Sequence, residues 1–305
     1  MYKIYEKEYK AFIESIYSKK AVFGDFFGGK IEALDGVAEN ETAFYIKTSN
    51  KPLTIGKYNK DANVAFEDGT NNSSRFGKRK ELKYVTTPVK YTWNWAFDVG
   101  IDKHTVNHNF EDALADTLED EAIELNQLFD EHAGKFISEN AGTTLELANY
   151  SADSVLNLFN KLSATFTNLG VRGGHRIAWV NTGLYNAIVD HRESTTDKNS
   201  SVNIDENAIV RFKGFTIKET ADHKFVDGAN EVAYVSIEGI AKQFTGITET
   251  RTIVPEGSSG VAVQGSGLAG EHILEANKAA VIKVVEVKAD AKVKADAEGE
   301  ADPEL

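Results

Sequence analysis

Two groups of residues in this chain have the types and spacing of chemical sites. His104 and His108 stand four apart, with Asp102 before them and Glu111 and Asp112 after. On one helix that spacing would present two imidazoles to one metal ion, and Asp102, His104 and His108 could then serve a metal-assisted hydrolase. Asn109, however, has the character of a helix cap, which puts both histidines in the preceding turn, and no HExxH glutamate lies between them. A hydrogen-bonded turn is the plainer expectation. The second group, Gly265-Ser266-Gly267-Leu268-Ala269-Gly270, matches the dinucleotide fingerprint and follows the apolar Val261, Ala262 and Val263. That fingerprint works where it opens a helix in a βαβ unit with an acidic residue about twenty positions on. Only residues 271–305 remain, and half of them are tail, so these glycines read as a flexible or tightly turned loop. His132 and His175 read as structural. Cysteine is absent, which removes thiol nucleophiles, thiolate metal sites and disulfides together. There is no GxSxG elbow or Walker loop, and no cofactor or catalytic residue is expected.

The elements around these groups are more telling. Val89, Tyr91, Trp93, Trp95, Phe97 and Val99 alternate with Lys90, Thr92, Asn94, Ala96 and Asp98, the period of a strand with one buried face. A long helix is expected at 110–138, capped by Asn109. Its stripe is Phe110, Leu114, Leu118, Ala122, Leu125, Phe129, His132 and Phe136, and Asp116, Glu119, Asp120, Glu124, Asp130 and Glu131 are left mostly to other faces. Residues 1–29 read as an amphipathic arm ended by Gly28-Gly29, with Tyr5, Tyr9, Phe12, Ile13 and Ile16 at helical spacing. Strands are expected at 42–48 and 81–87, and the polar stretch between them reads as a two-stranded ribbon of about fifteen residues a side. Such a ribbon is marginal in water, so it is either partly disordered or supported by a neighbouring subunit. Further on, 151–167 reads as a helix capped by Ser151, 175–181 as a strand and 182–190 as a helix. The polar 191–205 reads as a loop, with strands at 208–218, 232–237, 246–254 and 279–287. The repetitive, charged 288–305 reads as a disordered tail.

The 305 residues carry a net charge of -13, which argues against general nucleic-acid binding. The charge is unevenly placed. Residues 1–108 hold seventeen Lys and Arg against fourteen Asp and Glu, whereas 109–140 holds one Lys against ten acids. The N-terminus lacks the apolar run of a signal peptide, which places assembly in a cytoplasm. An arm, a ribbon, a long helix and an α/β body are the parts of a protein that clasps copies of itself, and repeated contacts with the right rotation close into rings and shells.

Several runs then resemble a known family. Ser74-Arg75-Phe76-Gly77-Lys78-Arg79-Lys80-Glu81-Leu82, followed by Gly100-Ile101-Asp102-Lys103-His104-Thr105-Val106-Asn107, is similar to segments of major capsid proteins of tailed bacteriophages that infect low-GC Gram-positive bacteria. Trp179-Val180-Asn181-Thr182-Gly183-Leu184-Tyr185, Phe212-Lys213-Gly214-Phe215, Arg251-Thr252-Ile253 and Gly260-Val261-Ala262-Val263-Gln264-Gly265 agree, in order, across most of 40–287. The resemblance implies an α+β capsid fold of the Hong Kong 97 type. Its expected parts are an N-terminal arm (1–39), an extended loop (40–88), a peripheral domain with a spine helix (89–140), an axial domain (141–254), a return into the peripheral domain (255–287) and the tail (288–305). Subunit interfaces are expected at Arg75, Phe76, Lys78 and Arg79, at Glu119 and Glu124, and at Gly265 and Gly267. The implied function is an icosahedral shell of pentamers and hexamers around phage DNA, found in the virion and made with a portal and a separate scaffolding protein. Nothing is expected to bind DNA by sequence or to enter a membrane. A nanocompartment shell of the same fold is the structural alternative. Some members crosslink a loop lysine to a neighbour's asparagine; Lys57, Lys60 and Asn277 are present without carrying that assignment.

Overall fold

The computed structural model describes residues 13, 15–17, 20–35, 42–49, 55–61, 74–77, 81–102, 110–171, 173–190, 203–205, 208–226, 230–257 and 259–287. His104, His108, Asn109, Lys78, Arg79, Tyr5, Tyr9, Phe12 and the 288–305 tail lie outside the described residues. The chain divides into two compact units, Ala38–Lys90 and the rest.

In the larger unit a four-stranded sheet has the order β1-β11-β12-β4, built from Ile31–Asp35, Ala241–Ile253, Val261–Ile273 and Trp93–Ile101. A seven-stranded sheet has the order β5-β13-β10-β6-β9-β8-β7, from Thr143–Leu147, Ile282–Glu286, Glu231–Ile237, Arg176–Val180, Phe215–Glu219, Ala208–Phe212 and Asn203–Asp205. The central β10 and β6 are buried along nearly their whole length because the sheet is covered on both faces there. Alternate residues of β6 show this. Ala178 and Val180 join Val155, Phe159 and Leu184 of the helices Ala152–Asn168 and Thr182–Val189. Ile177 and Trp179 instead join Phe23, Phe26, Ala133 and Ile137.

The local signals mostly hold. Ser151 accepts from Ser154 N–H and caps its helix, and Asn181 does the same for the next by accepting from Leu184 N–H at 2.8 Å. The long helix Phe110–Glu139 has 30 residues, about 45 Å. Leu118, Ala122, Leu125 and Phe129 are buried as its stripe requires, and near the C-terminal end the buried line moves to Ala133 and Ile137, leaving His132 and Phe136 half-buried at its flank. A straight helix drifts against a seven-residue repeat, and this one follows its core. The arm lies on the same helix: Ile13, Ile16 and Tyr17 share a cluster with Leu118, Leu125, Trp95 and Val263, and the Tyr17 ring meets Phe129 edge-on at 6.4 Å.

Five expectations are corrected. The alternating run 89–99 is two strands, because β3 (Tyr84–Lys90) ends in the smaller unit and β4 begins at Trp93 in the larger. The loop read at 265–270 is the middle of β12. There Gly265 faces Phe97 and Gly267 faces Trp95, and a Cβ on Gly267 would sit 2.5 Å from Trp95 Cζ2. The glycines leave room for aromatic rings, not for a phosphate. Asp130 is buried, not outward. Val22 N–H donates to both its oxygens at 3.0 and 3.1 Å and Phe23 N–H to one at 3.3 Å, which fastens the arm. Within 191–205, read as loop, Asn203–Asp205 is strand β7; residues 279–281 precede strand β13. β11 and β12 share the four-stranded sheet, while β13 belongs to the seven-stranded one.

Candidate assembly site

The smaller unit is a ribbon. β2 (Thr42–Ser49) and β3 pair antiparallel, with Tyr45 opposite Pro88, Lys47 opposite Thr86 and Ser49 opposite Tyr84. Among the described residues the paired part is seven or eight residues a side. Consecutive apolar residues in β2, Phe44, Tyr45 and Ile46, break the alternation of a strand with one apolar face, and of the three Phe44 and Ile46 are half-buried while Tyr45 is exposed. Tyr45 is 67% exposed and Tyr84 and Val85 are at least half exposed, with Lys47 Nζ 4.8 Å from the centre of the Tyr84 ring. Beyond the strands Asn59 N–H donates to Arg75 O at 2.9 Å, which joins two segments distant in sequence. The turn that follows, with Gly77 N–H donating to Ser74 O, carries Arg75 and Phe76. Phe76 is 84% exposed and meets Tyr58 edge-on at 5.2 Å, and the Arg75 guanidinium lies 6.0 Å from the centre of that tyrosine ring. Among the described residues, seven large apolar side chains of this unit are exposed, Tyr45, Ile55, Tyr58, Phe76, Leu82, Tyr84 and Val85, against four in the rest of the chain.

In the larger unit the acidic helix offers the complementary character. Asp116, Glu119, Asp120 and Glu124 are exposed. Glu121 is half-buried, and burial, reinforced by Glu124 and Asp120, pushes its carboxyl above the usual range. Glu121 and Glu124 border a groove of about 350 Å³ whose apolar lining is Trp95, Phe97, Leu125 and Leu128. Behind it the helix is fixed to the sheet by buried polar groups. Trp93 Nε1–H donates to Glu271 at 3.2 Å, Gln243 Nε2–H donates to the same carboxylate at 3.0 Å, and Trp93 stacks on His132 with ring centres 4.0 Å apart. Burial raises the Glu271 and Asp130 carboxyls and lowers the His132 imidazole. A second buried network joins helix and seven-stranded sheet: Ser138 donates to Glu231 at 2.6 Å, Tyr234 donates to the other Glu231 oxygen, and Lys283 lies 3.3 Å away.

The interface residues named from sequence thus separate. Arg75 and Phe76 stand together on the ribbon, Glu124 borders the groove, and Glu119 is exposed outside the groove lining. Gly265 and Gly267 are buried under the chain's own Phe97 and Trp95 and present no surface to a neighbour. The exposed Tyr45, Tyr58 and Tyr84 and the groove-bordering Glu121 were not singled out from sequence; the failure of alternation in β2 was the available signal for the first. Asp102 is described, whereas its two histidines are not, and no cluster of metal-ligating side chains occurs among the described residues. None of the described helices is long and apolar enough to cross a membrane.

No protein-family model matches this chain, and no curated protein matches it. Solved structures do. The capsid of cyanophage P-SCSP1u is similar with a TM-score of 0.64 and 11% identity, covering 89% of each chain. The mature capsid of bacteriophage PhiM1 gives 0.60 and 13% over 87% of each chain. A structure from Mycobacterium phage Che8 gives 0.55 and 14% over 80% of this chain and 84% of the other. The chain has the α+β fold of phage capsid proteins, of the Hong Kong 97 type that its motifs implied. Identities this low carry fold and leave activity to be argued from surfaces.

Proposed function

We propose that this protein is the shell-forming subunit of a tailed-phage capsid, assembling as pentamers and hexamers into an icosahedral shell that encloses DNA. The observation that carries the reading is the ribbon, whose exposed Tyr45, Tyr84, Ile55 and Phe76 require cover that 38–90 cannot give itself. Capsid-fold likeness over nearly the whole chain supports it. In this reading 1–39 is the arm, 40–88 the extended loop that reaches a neighbour, 89–140 with the later β11 and β12 the peripheral part, and the seven-stranded sheet the axial part. The basic ribbon meets acidic helices of adjacent copies, so charge steers register while apolar burial holds it. The net charge of -13 suits a container that must hold DNA without gripping it. The role is structural, without catalysis. A portal and a separate scaffolding protein are its expected partners, the virion its final place, and the host class suggested by the motif order is a low-GC Gram-positive bacterium.

Negative-stain microscopy and sedimentation of the protein, alone and with a candidate scaffolding protein, test this. Closed particles tens of nanometres across are expected. A persistent monomer in both preparations would sink the reading. Nucleic acid inside particles recovered from infected cells separates a phage shell from a compartment that holds protein.

A further inference from the structure

The four-stranded sheet ends on one side at β1, and among the described residues no strand is hydrogen-bonded to the outer side of β1. β1 pairs in parallel with β11, which leaves the main-chain N–H and C=O of alternate residues directed away from the sheet. Beside it lies a cavity of about 490 Å³ lined by Phe27, Gly28, Ile31, Leu34, Gly239 and Ala241. Shortness and lysine deter chance pairing at an edge, and β1 has five residues preceded by the exposed Lys30. A strand admitted here must therefore answer Lys30 with an anion. Glu32, two places on, is such an anion: it pairs with Lys242 of its own chain, yet 42% of its side chain stays exposed.

The segment is complementary to itself. Two identical edges pair antiparallel about a two-fold axis normal to the sheet, so the pairing is centred on one residue and directly opposite residues share a face. Centred on Ile31, it sets Lys30 opposite Glu32 of the other copy, twice by symmetry. Centred on Glu32 it would oppose two like charges, and centred on Ala33 it would set Glu32 opposite Leu34. We propose that this edge is a contact surface for a second copy of the chain, in which two β1 strands meet antiparallel about Ile31 with Lys30 of each copy against Glu32 of the other. Leu34 of each copy then lies beside Gly28 of the other, at the mouth of the cavity, and the two four-stranded sheets join into one. The contact adds a two-fold axis to the shell reading, and rests on that reading for the meeting of copies.

Because the protein has no cysteine, single introduced thiols report the contact cleanly. Full-length Lys30→Cys protein is mixed with full-length Glu32→Cys protein and oxidised, and with Ala164→Cys, on an exposed position of the helix Ala152–Asn168, as the control. The 30–32 dimer is expected at least tenfold above the 30–164 dimer and above the dimer that Glu32→Cys forms with itself. Equal yields overturn the proposal, and so does a dominant 32–32 dimer, which marks pairing centred on Glu32. Amide hydrogen exchange at 30–33 supplies a second measurement on cysteine-free chains. In the wild type, protection there should rise at least tenfold with concentration. Lys30→Glu alone and Glu32→Lys alone should each lose that rise, and their mixture should regain it, because each introduced carboxylate then faces an introduced ammonium. A mixture that regains nothing overturns the pairing, and protection independent of concentration shows the edge covered by its own chain and overturns it too. If a variant fails to fold by circular dichroism, the wild-type exchange decides. Particles without the selective disulfide overturn this contact alone, and the selective disulfide without particles supports the contact while removing the shell.

Discussion

The ribbon and the body handle the same kinds of side chain in opposite ways. In the body, aromatic residues are enclosed by the chain's own elements: Phe23 and Phe26 against Trp179, Phe129 against Trp93 and Tyr17, Phe97 and Trp95 over glycines. In the ribbon, Tyr45, Tyr58, Phe76 and Tyr84 are exposed, with Phe76 edge-on to Tyr58, Arg75 near the Tyr58 ring and Lys47 near the Tyr84 ring. Burying a side chain of this size is worth roughly 1.5–3 kcal/mol, so the body is stabilised by its aromatics on folding and the ribbon can gain the same only on association. The difference teaches which aromatics serve the fold and which, on the proposed reading, are left for assembly.

The sharpest way to break that comparison is to remove the ribbon. Deleting residues 50–80 should leave a subunit with an unchanged melting profile and abolish particles in sedimentation; loss of the fold would mean that the ribbon belongs to the core after all. Next, Phe129→Ala should cost about 3–5 kcal/mol in urea unfolding of the subunit, whereas Phe76→Ala should cost under about 0.5 kcal/mol there and reduce particle yield instead. Smaller again, Gly267→Ala forces a Cβ against Trp95 and the Gly246 carbonyl and should destabilise by about 1–3 kcal/mol, while Gly56→Ala in the ribbon, with open space around it, should be silent in the same assay.

The smallest effect concerns the buried carboxylate that fastens the arm. Asp130 has a folded-state affinity for protons raised above that of the unfolded chain, chiefly by burial and in spite of the Val22 and Phe23 hydrogen bonds. Its stabilising contribution is therefore present in full below the ordinary carboxyl range, near pH 4, and declines as pH rises through the raised folded value. His132 has the opposite sign, since its lowered folded value favours the neutral ring and its contribution falls as pH drops through that value. The comparison of wild type with Asp130→Asn cancels the histidine: the wild type should gain on the variant in melting temperature as pH falls from about 7 to about 4. A difference that stays flat across this range would show that Asp130 does not titrate there.

Much of this was legible in order of residues alone. The stripe from Leu118 to Phe129, the Ser151 cap, the apolar run at 177–180 and the basic-to-acidic change near residue 109 each depend on neighbours within one element, and local periodicity records them directly. The acidic helix and the Arg75-Phe76 turn were likewise visible as types. What only the tertiary structure decided was partner choice. Gly265 and Gly267 look like a loop until the antiparallel register lays β4 beside them and fills their missing side chains with Phe97 and Trp95. Asp130 looks like a solvated acid until the arm, more than a hundred residues earlier, brings two N–H groups to it. The alternating run from 89 to 99 looks like one strand until its two ends join different units. Periodicity states which side of an element is covered, whereas the identity of the cover is set by contacts between distant segments, and those exist only once the chain has closed on itself.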